Sequence, residues 1–335
     1  MTTVKKESPF LQAFEGKNKT VPVWFMRQAG RYLPEYQAIK KKHTLQEMFQ
    51  TPEIAAEITL QPIHILGVDA AILFADILTL PTAMGAGIHF DNRKGPVIQK
   101  LTPKTLQDIE SIPHVTETIR LVNAQLGQTP LIGFAGSPFT VLTYLLEGGS
   151  SLTHPQTLAF MQAQEEDYHG LMKQLTKNTV RYVEQQIAAG IDAFQLFDSW
   201  AGILPREIYR RMVLPYVAEI FEAVNVPSIY FAKGGGPFLD LLSGLKADIL
   251  SVDHTVTVGS PELLATEKGV QGNLFNGLLF ADFDRLQREV TRILQAASRH
   301  KKYIFNLNHG VLPQTDVEKL KFVVECVHQF KWTYE

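Results

Sequence analysis

Apolar and polar positions along the chain fall into one repeated alternation. Short apolar runs, several of them β-branched, occupy 21–26, 69–75, 131–135, 193–197, 228–232, 248–252, 270–272 and 303–307, which makes eight. After each comes a turn and then a longer stretch with apolar positions at helical spacing. Helix starts are legible in Thr51-Pro52-Glu53, in Ser260-Pro261-Glu262 and in Thr315-Asp316-Val317-Glu318, which has the form of a capping box. Strands alternating with helices pair in parallel through right-handed crossovers. Eight such units predict a (β/α)8 barrel of the TIM type rather than an open doubly wound sheet. Neither G-x-G-x-x-G after the first strand nor a Walker A string occurs, which argues against a nucleotide fold. Two segments depart from the alternation. Residues 89–99 read as a hairpin with its turn at 91–95, and 155–190 reads as one long helix or two with a break. No linker or compositional shift divides the chain, so a single domain over 1–335 is expected.

Composition narrows the classes of function. A 45% apolar and 20% charged chain is an ordinary globular one. A net charge of −2 supplies no general attraction to nucleic acid or anionic membrane. The single cysteine, Cys326, rules out an internal disulfide and a cysteine-based metal site, and its apolar neighbours at helical spacing place it in packing. The ten histidines form no H-E-x-x-H and no tight cluster, so no metal site is expected. With no signal-peptide core and no run long enough to span a bilayer, a cytoplasmic location is expected.

In a barrel of this type the chemistry belongs to the loops after the C-terminal ends of the strands. The first run ends in Arg27-Gln28, with Arg31 four residues beyond Arg27 and so able to share its face. Two permanently charged forks suit a carboxylate or phosphate substrate; equally, they suit a structural pair that fastens a loop. The second run leads straight into Asp76, a carboxylate that is costly to bury without a partner, or else a helix cap. Ser137 and Pro138 after the third run read as ordinary capping, with Tyr144 further along the helix. Later strand ends carry Asp198-Ser199-Trp200, Lys233-Gly234-Gly235-Gly236 (an anion nest or a flexible turn), Asp253-His254, Asn273 and Asn308-His309. Polar groups therefore gather at one end of nearly every expected strand, as a catalytic mouth requires.

The stretch R-Q-A-G-R-Y-L-P-E-Y at 27–36 resembles the N-terminal signature of the uroporphyrinogen decarboxylase family. F-A-D-I-L at 74–78, G-S-P-F-T-V-L-T-Y at 136–144, F-D-S-W-A-G at 197–202 and H-G at 309–310 match that family's pattern in order. The resemblance implies a homodimeric (β/α)8 barrel that needs no cofactor. It implies catalytic roles for Asp76 and Arg27, and a substrate pocket made of Arg27, Gln28, Arg31, Asp76, Tyr144, Ser199 and His309. Departures from the pattern stand at His254, where tryptophan is common, at Phe275, where aspartate is frequent, and at Asn308, where glycine is usual.

The implied reaction turns the acetate side chains of uroporphyrinogen III into methyls, giving coproporphyrinogen III for haem synthesis. A pyrrole protonated at the ring carbon next to the acetate-bearing one can itself accept the electrons released with carbon dioxide. On this reading Asp76 offsets the developing positive charge, the arginines hold carboxylates, and Tyr144, Ser199 and His309 orient them. Two rival readings are a zinc-dependent corrinoid methyltransferase, which the lone Cys326 disfavours, and a non-catalytic tetrapyrrole carrier.

Overall fold

In the computed structural model, which describes residues 5–91, 95–99 and 106–334, a parallel sheet curls around a core of side chains. Its strands are β1 (Ala71–Ile72), β4 (Leu131–Gly136), β5 (Ala193–Asp198), β6 (Ser228–Ala232), β7 (Ile249–Ser251), β8 (Gly269–Gln271) and β9 (Tyr303–Ile304), paired in that order. The hairpin strands β2 (Ile88–Asp91) and β3 (Gly95–Ile98) pair antiparallel apart from it, as expected for 89–99; residues 92–94 of their turn lie outside the described residues.

The first apolar run closes the barrel, though not as the regular strand that 21–26 predicts. Val23 forms one parallel bridge with Phe305 on one side, and its carbonyl accepts the Asp69 N–H on the other. The N–H groups of Val23, Phe25 and Met26 are met by side chains instead of a ladder. The Phe25 N–H donates to Gln28 Oε1 at 3.1 Å and the Met26 N–H to Asn306 Oδ1 at 3.0 Å. Every one of the eight expected runs thus has a place around the ring, consistent with a (β/α)8 barrel.

Parallel strands covered on both faces are apolar throughout, and all six residues of β4 are buried. The interior still carries a polar layer that the strand pattern did not announce. Trp24 Nε1 donates to Gln271 Oε1 at 2.9 Å, and Gln271 Nε2 donates to Gln195 Oε1 and Ser251 Oγ.

The 155–190 stretch resolves into helices Pro155–Ala163 and Glu165–Ala189, broken at Gln164. Two capping expectations are corrected. The last helix, Val317–Gln329, starts one residue late: Asp316 is its cap, and Thr315 Oγ1 is buried without a partner among the described residues. The helix Pro138–Glu147 receives no side-chain cap from Ser137, because the Ser137 hydroxyl is drawn to Asp198.

Candidate active site

The C-terminal ends of the strands open on one mouth, and Arg27 enters it from the closing segment. Its backbone sits in the left-handed region, with φ 60°, an uncommon conformation for a residue other than glycine. The turn that imposes it is tied down on both flanks. The Gln28 N–H donates to the Phe25 carbonyl, and the Val311 N–H donates to the Met26 carbonyl. The Arg27 side chain then lies across Gly310, so close that a Cβ there would meet Arg27 Cδ at 2.4 Å. Glycine at 310 is therefore a condition for the arginine's path.

Asp76 follows β1 and faces Arg27. Its Oδ1 accepts the Leu78 N–H at 2.8 Å, while Oδ2 takes no hydrogen bond from the described residues. Burial raises its carboxyl above the usual value, and the Leu78 N–H and the Arg27 charge only partly oppose that rise. A carboxylate held with one face unserved is an acceptor waiting for donors.

Tyr144 projects from the helix Pro138–Glu147 with its ring 6.2 Å from Trp200. Burial and the neighbouring Asp76 raise its hydroxyl, so it remains a neutral donor. His309 sits near Phe231 at 6.2 Å between ring centres. Burial, with Arg27 and Lys233 beside it, lowers its pKa to about 4, so the imidazole is neutral at neutral pH. Ser199 is half-buried between Asp198 and Trp200. Arg31 is exposed, its charge is felt by the Tyr36 hydroxyl, and it is not brought into contact with Arg27, Asp76, Tyr144 or His309.

Gln28 is placed differently. It is fully buried, and its amide is spent inside the fold: Oε1 accepts from Phe25 and Nε2 donates to the Ala70 carbonyl at 3.0 Å. Its contribution is to lock the turn that presents Arg27.

The shared electrostatics of Arg27, Asp76, Tyr144 and His309 bring four of the expected residues around one space. Two residues absent from the expected pocket, Lys233 and Trp200, border it, and a third packs against Trp200. Lys233 follows β6, Trp200 follows β5, and the buried ring of His154 packs 4.4 Å from Trp200. For Lys233 the available signal was its place right after a strand; for His154, far from any strand end, there was none.

The three departures converge as well. Asn308 Oδ1 accepts the Asn276 N–H, the Asn308 amide lies 3.3 Å from His254 Nδ1, and His254 stands 6.3 Å from the half-exposed Phe275. They are one rim cluster rather than three scattered changes. Among the described residues no three of His, Cys, Asp and Glu converge as metal ligands, and no helix is long and apolar enough to cross a membrane.

The family model described as uroporphyrinogen decarboxylase (URO-D) matches residues 5–330. The uroporphyrinogen decarboxylase of Thermodesulfovibrio yellowstonii is 44% identical over 333 residues, covering 96% of this chain and 98% of that one. That of Carboxydothermus hydrogenoformans is 42% identical over 335 residues, covering 96% and 95%. Among solved structures, a methyltransferase from Methanosarcina mazei superposes with a TM-score of 0.80 at 20% identity, covering 98% of both chains, which shows the fold alone.

Proposed function

Since the chain belongs to the uroporphyrinogen decarboxylase family and is a carboxy-lyase, we propose that it removes carbon dioxide from each acetate of uroporphyrinogen III, leaving methyls and giving coproporphyrinogen III. The observation that carries the mechanism is Asp76, a carboxylate in the mouth with one oxygen unserved and a guanidinium beside it. Pyrrole N–H groups supply the missing donors. Protonation of a ring carbon next to the acetate-bearing one makes that pyrrole a cation. The bond between the acetate methylene and its carboxylate then breaks, its electron pair enters the ring, and carbon dioxide leaves. A second proton adds to the exocyclic carbon and the ring carbon gives up the first, so each turn consumes one proton.

Asp76 pairs more strongly with the cation than with the neutral pyrrole. Only that difference lowers the barrier, and a partly desolvated carboxylate makes the difference large. Arg27 holds the acetate under attack, Arg31 holds a carboxylate at the rim, and Tyr144, Ser199 and the neutral His309 orient side chains by hydrogen bonds. Gln28 belongs to the set as the lock on Arg27. On the same reading the chain is a single barrel domain over 1–335 that works without a cofactor, as a homodimer, in the cytoplasm, and without nucleic acid or membrane.

The test is incubation of the purified protein with uroporphyrinogen III under anaerobic conditions, followed by separation of products by carboxylate number. Stepwise loss of carboxyls to the tetracarboxylate is expected. Binding without any loss of carbon dioxide would leave a carrier instead.

A further inference from the structure

Lys233 is built into the mouth more firmly than a surface lysine. Its N–H donates to the Asp198 carbonyl at 3.0 Å and its own carbonyl accepts the Gly202 N–H at 2.9 Å. A Cβ on Gly202 would stand 2.7 Å from that carbonyl oxygen, so the two turns meet backbone to backbone. The next residue is fixed too, since the Gly234 N–H donates to Asp253 Oδ2 at 2.7 Å. From this root the side chain extends over Trp200, with Nζ 5.5 Å from the ring centre. The indole is itself braced by His154 and Tyr144.

No described carboxylate forms a salt bridge with this half-buried ammonium. A π face alone offsets only a small part of a partly desolvated charge. Its position in the mouth is also distinct from that of Arg27. Both cations are felt at His309, whereas at Asp76 and Tyr144 only Arg27 is. In the ring order the run that presents Arg27 lies between β9 and β1, and β6, which presents Lys233, is four strands away in either direction, so the two cations enter the mouth from opposite sides.

We propose that Lys233 is a third cationic grip, held over Trp200, that binds a substrate carboxylate the reaction leaves in place, a propionate, while Arg27 serves the acetate being lost. The proposal rests on the decarboxylase reading. Its probes are uroporphyrinogen III for turnover and coproporphyrin, the oxidised tetrapyrrole whose only carboxylates are propionates, for binding.

In Lys233→Met, kcat/KM for uroporphyrinogen is expected to fall roughly 10- to 100-fold through KM, with kcat lower by less than about threefold. Coproporphyrin, followed by quenching of tryptophan fluorescence, should bind more weakly by a similar factor. Lys233→Arg should recover most of both losses, and equal melting temperatures would show that the fold is kept. A fall confined to kcat, or unchanged coproporphyrin binding in Lys233→Met, overturns the proposal. If the wild type binds coproporphyrin through Lys233 yet decarboxylates nothing, the decarboxylase reading fails while the grip stands.

Discussion

Of the carboxylates at the mouth, Asp76 after β1 and Asp198 at the end of β5 are both raised by burial above the ordinary value of 3.8. What surrounds them is opposite. Asp198 is fully buried and takes hydroxyl donors from Thr140 at 2.7 Å, Tyr230 at 2.9 Å and Ser137 at 3.1 Å, and the Tyr230 hydroxyl in turn lies 2.6 Å from that of Tyr209. Asp76 has one backbone N–H, one cation nearby and an open oxygen. A buried carboxylate whose donors are all built in stabilises the wall around it. One whose donors are missing has been left for something that arrives. The same burial therefore accompanies a fastener in one place and, on the proposed reading, a binding group in the other, and only the partners distinguish them.

The sharpest way to break this comparison is to neutralise each carboxylate. Asp76→Asn keeps an acceptor for Leu78 but removes the charge, and turnover is expected to fall by roughly 10³-fold, with Arg27→Ala close behind. Stability should move the other way. A folded pKa above the unfolded one means that Asp76 costs stability once pH has risen through the folded value, so at neutral pH the Asn variant should melt at or above the wild type. Near-normal turnover by Asp76→Asn in an anaerobic assay would sink the charge-pairing role.

Asp198→Ala is the complementary experiment. It leaves three buried hydroxyls without their acceptor and should cost about 3–5 kcal/mol in denaturant unfolding. A variant that stayed stable but lost turnover as Asp76→Asn does would erase the distinction between the two groups.

A smaller effect tests His309. Its folded pKa of about 4 lies below the ordinary 6.5, so between those values the folded state binds fewer protons than the unfolded chain. Its contribution to stability is therefore intact above 6.5 and is lost as pH falls toward 4. His309→Gln should flatten the stability profile across that window, and an unchanged profile would mean that the imidazole is not shielded as described.

The smallest effect belongs to the rim. Asn308→Gly frees the Asn276 N–H and releases His254, and should shift KM by less than about fivefold without changing kcat. A large loss of kcat would move the rim cluster into the reaction itself.

The seven strands of the curled sheet and the run that closes it were legible because a parallel strand buried on both faces reads as an apolar run, whatever it pairs with. Arg27, Asp76 and His309 were legible as polar groups just beyond such runs, where a barrel concentrates its chemistry, whereas Tyr144, inside a helix, was legible only through the family resemblance. Gln28 shows where that reasoning stops. A polar residue next to Arg27 has the same appearance whether its amide faces a ligand or, as here, reaches Ala70, 42 positions along the chain. Ser137 shows the same limit: its local sequence is that of a helix cap, yet a carboxylate 61 positions away claims the hydroxyl. The departures His254, Phe275 and Asn308 likewise read as separate until the barrel closes and brings them together.

By itself the sequence determined the order of the strand-forming runs, their alternation with helices, and the family. All three depend on local hydrophobic pattern and on short contiguous motifs. The tertiary structure alone decided which mouth carboxylate takes built-in donors at both oxygens, where the Lys233 ammonium is held, and which polar side chains are spent inside the fold. Those outcomes depend on hydrogen-bond partners and desolvation supplied by residues tens to hundreds of positions away, and no local pattern encodes them.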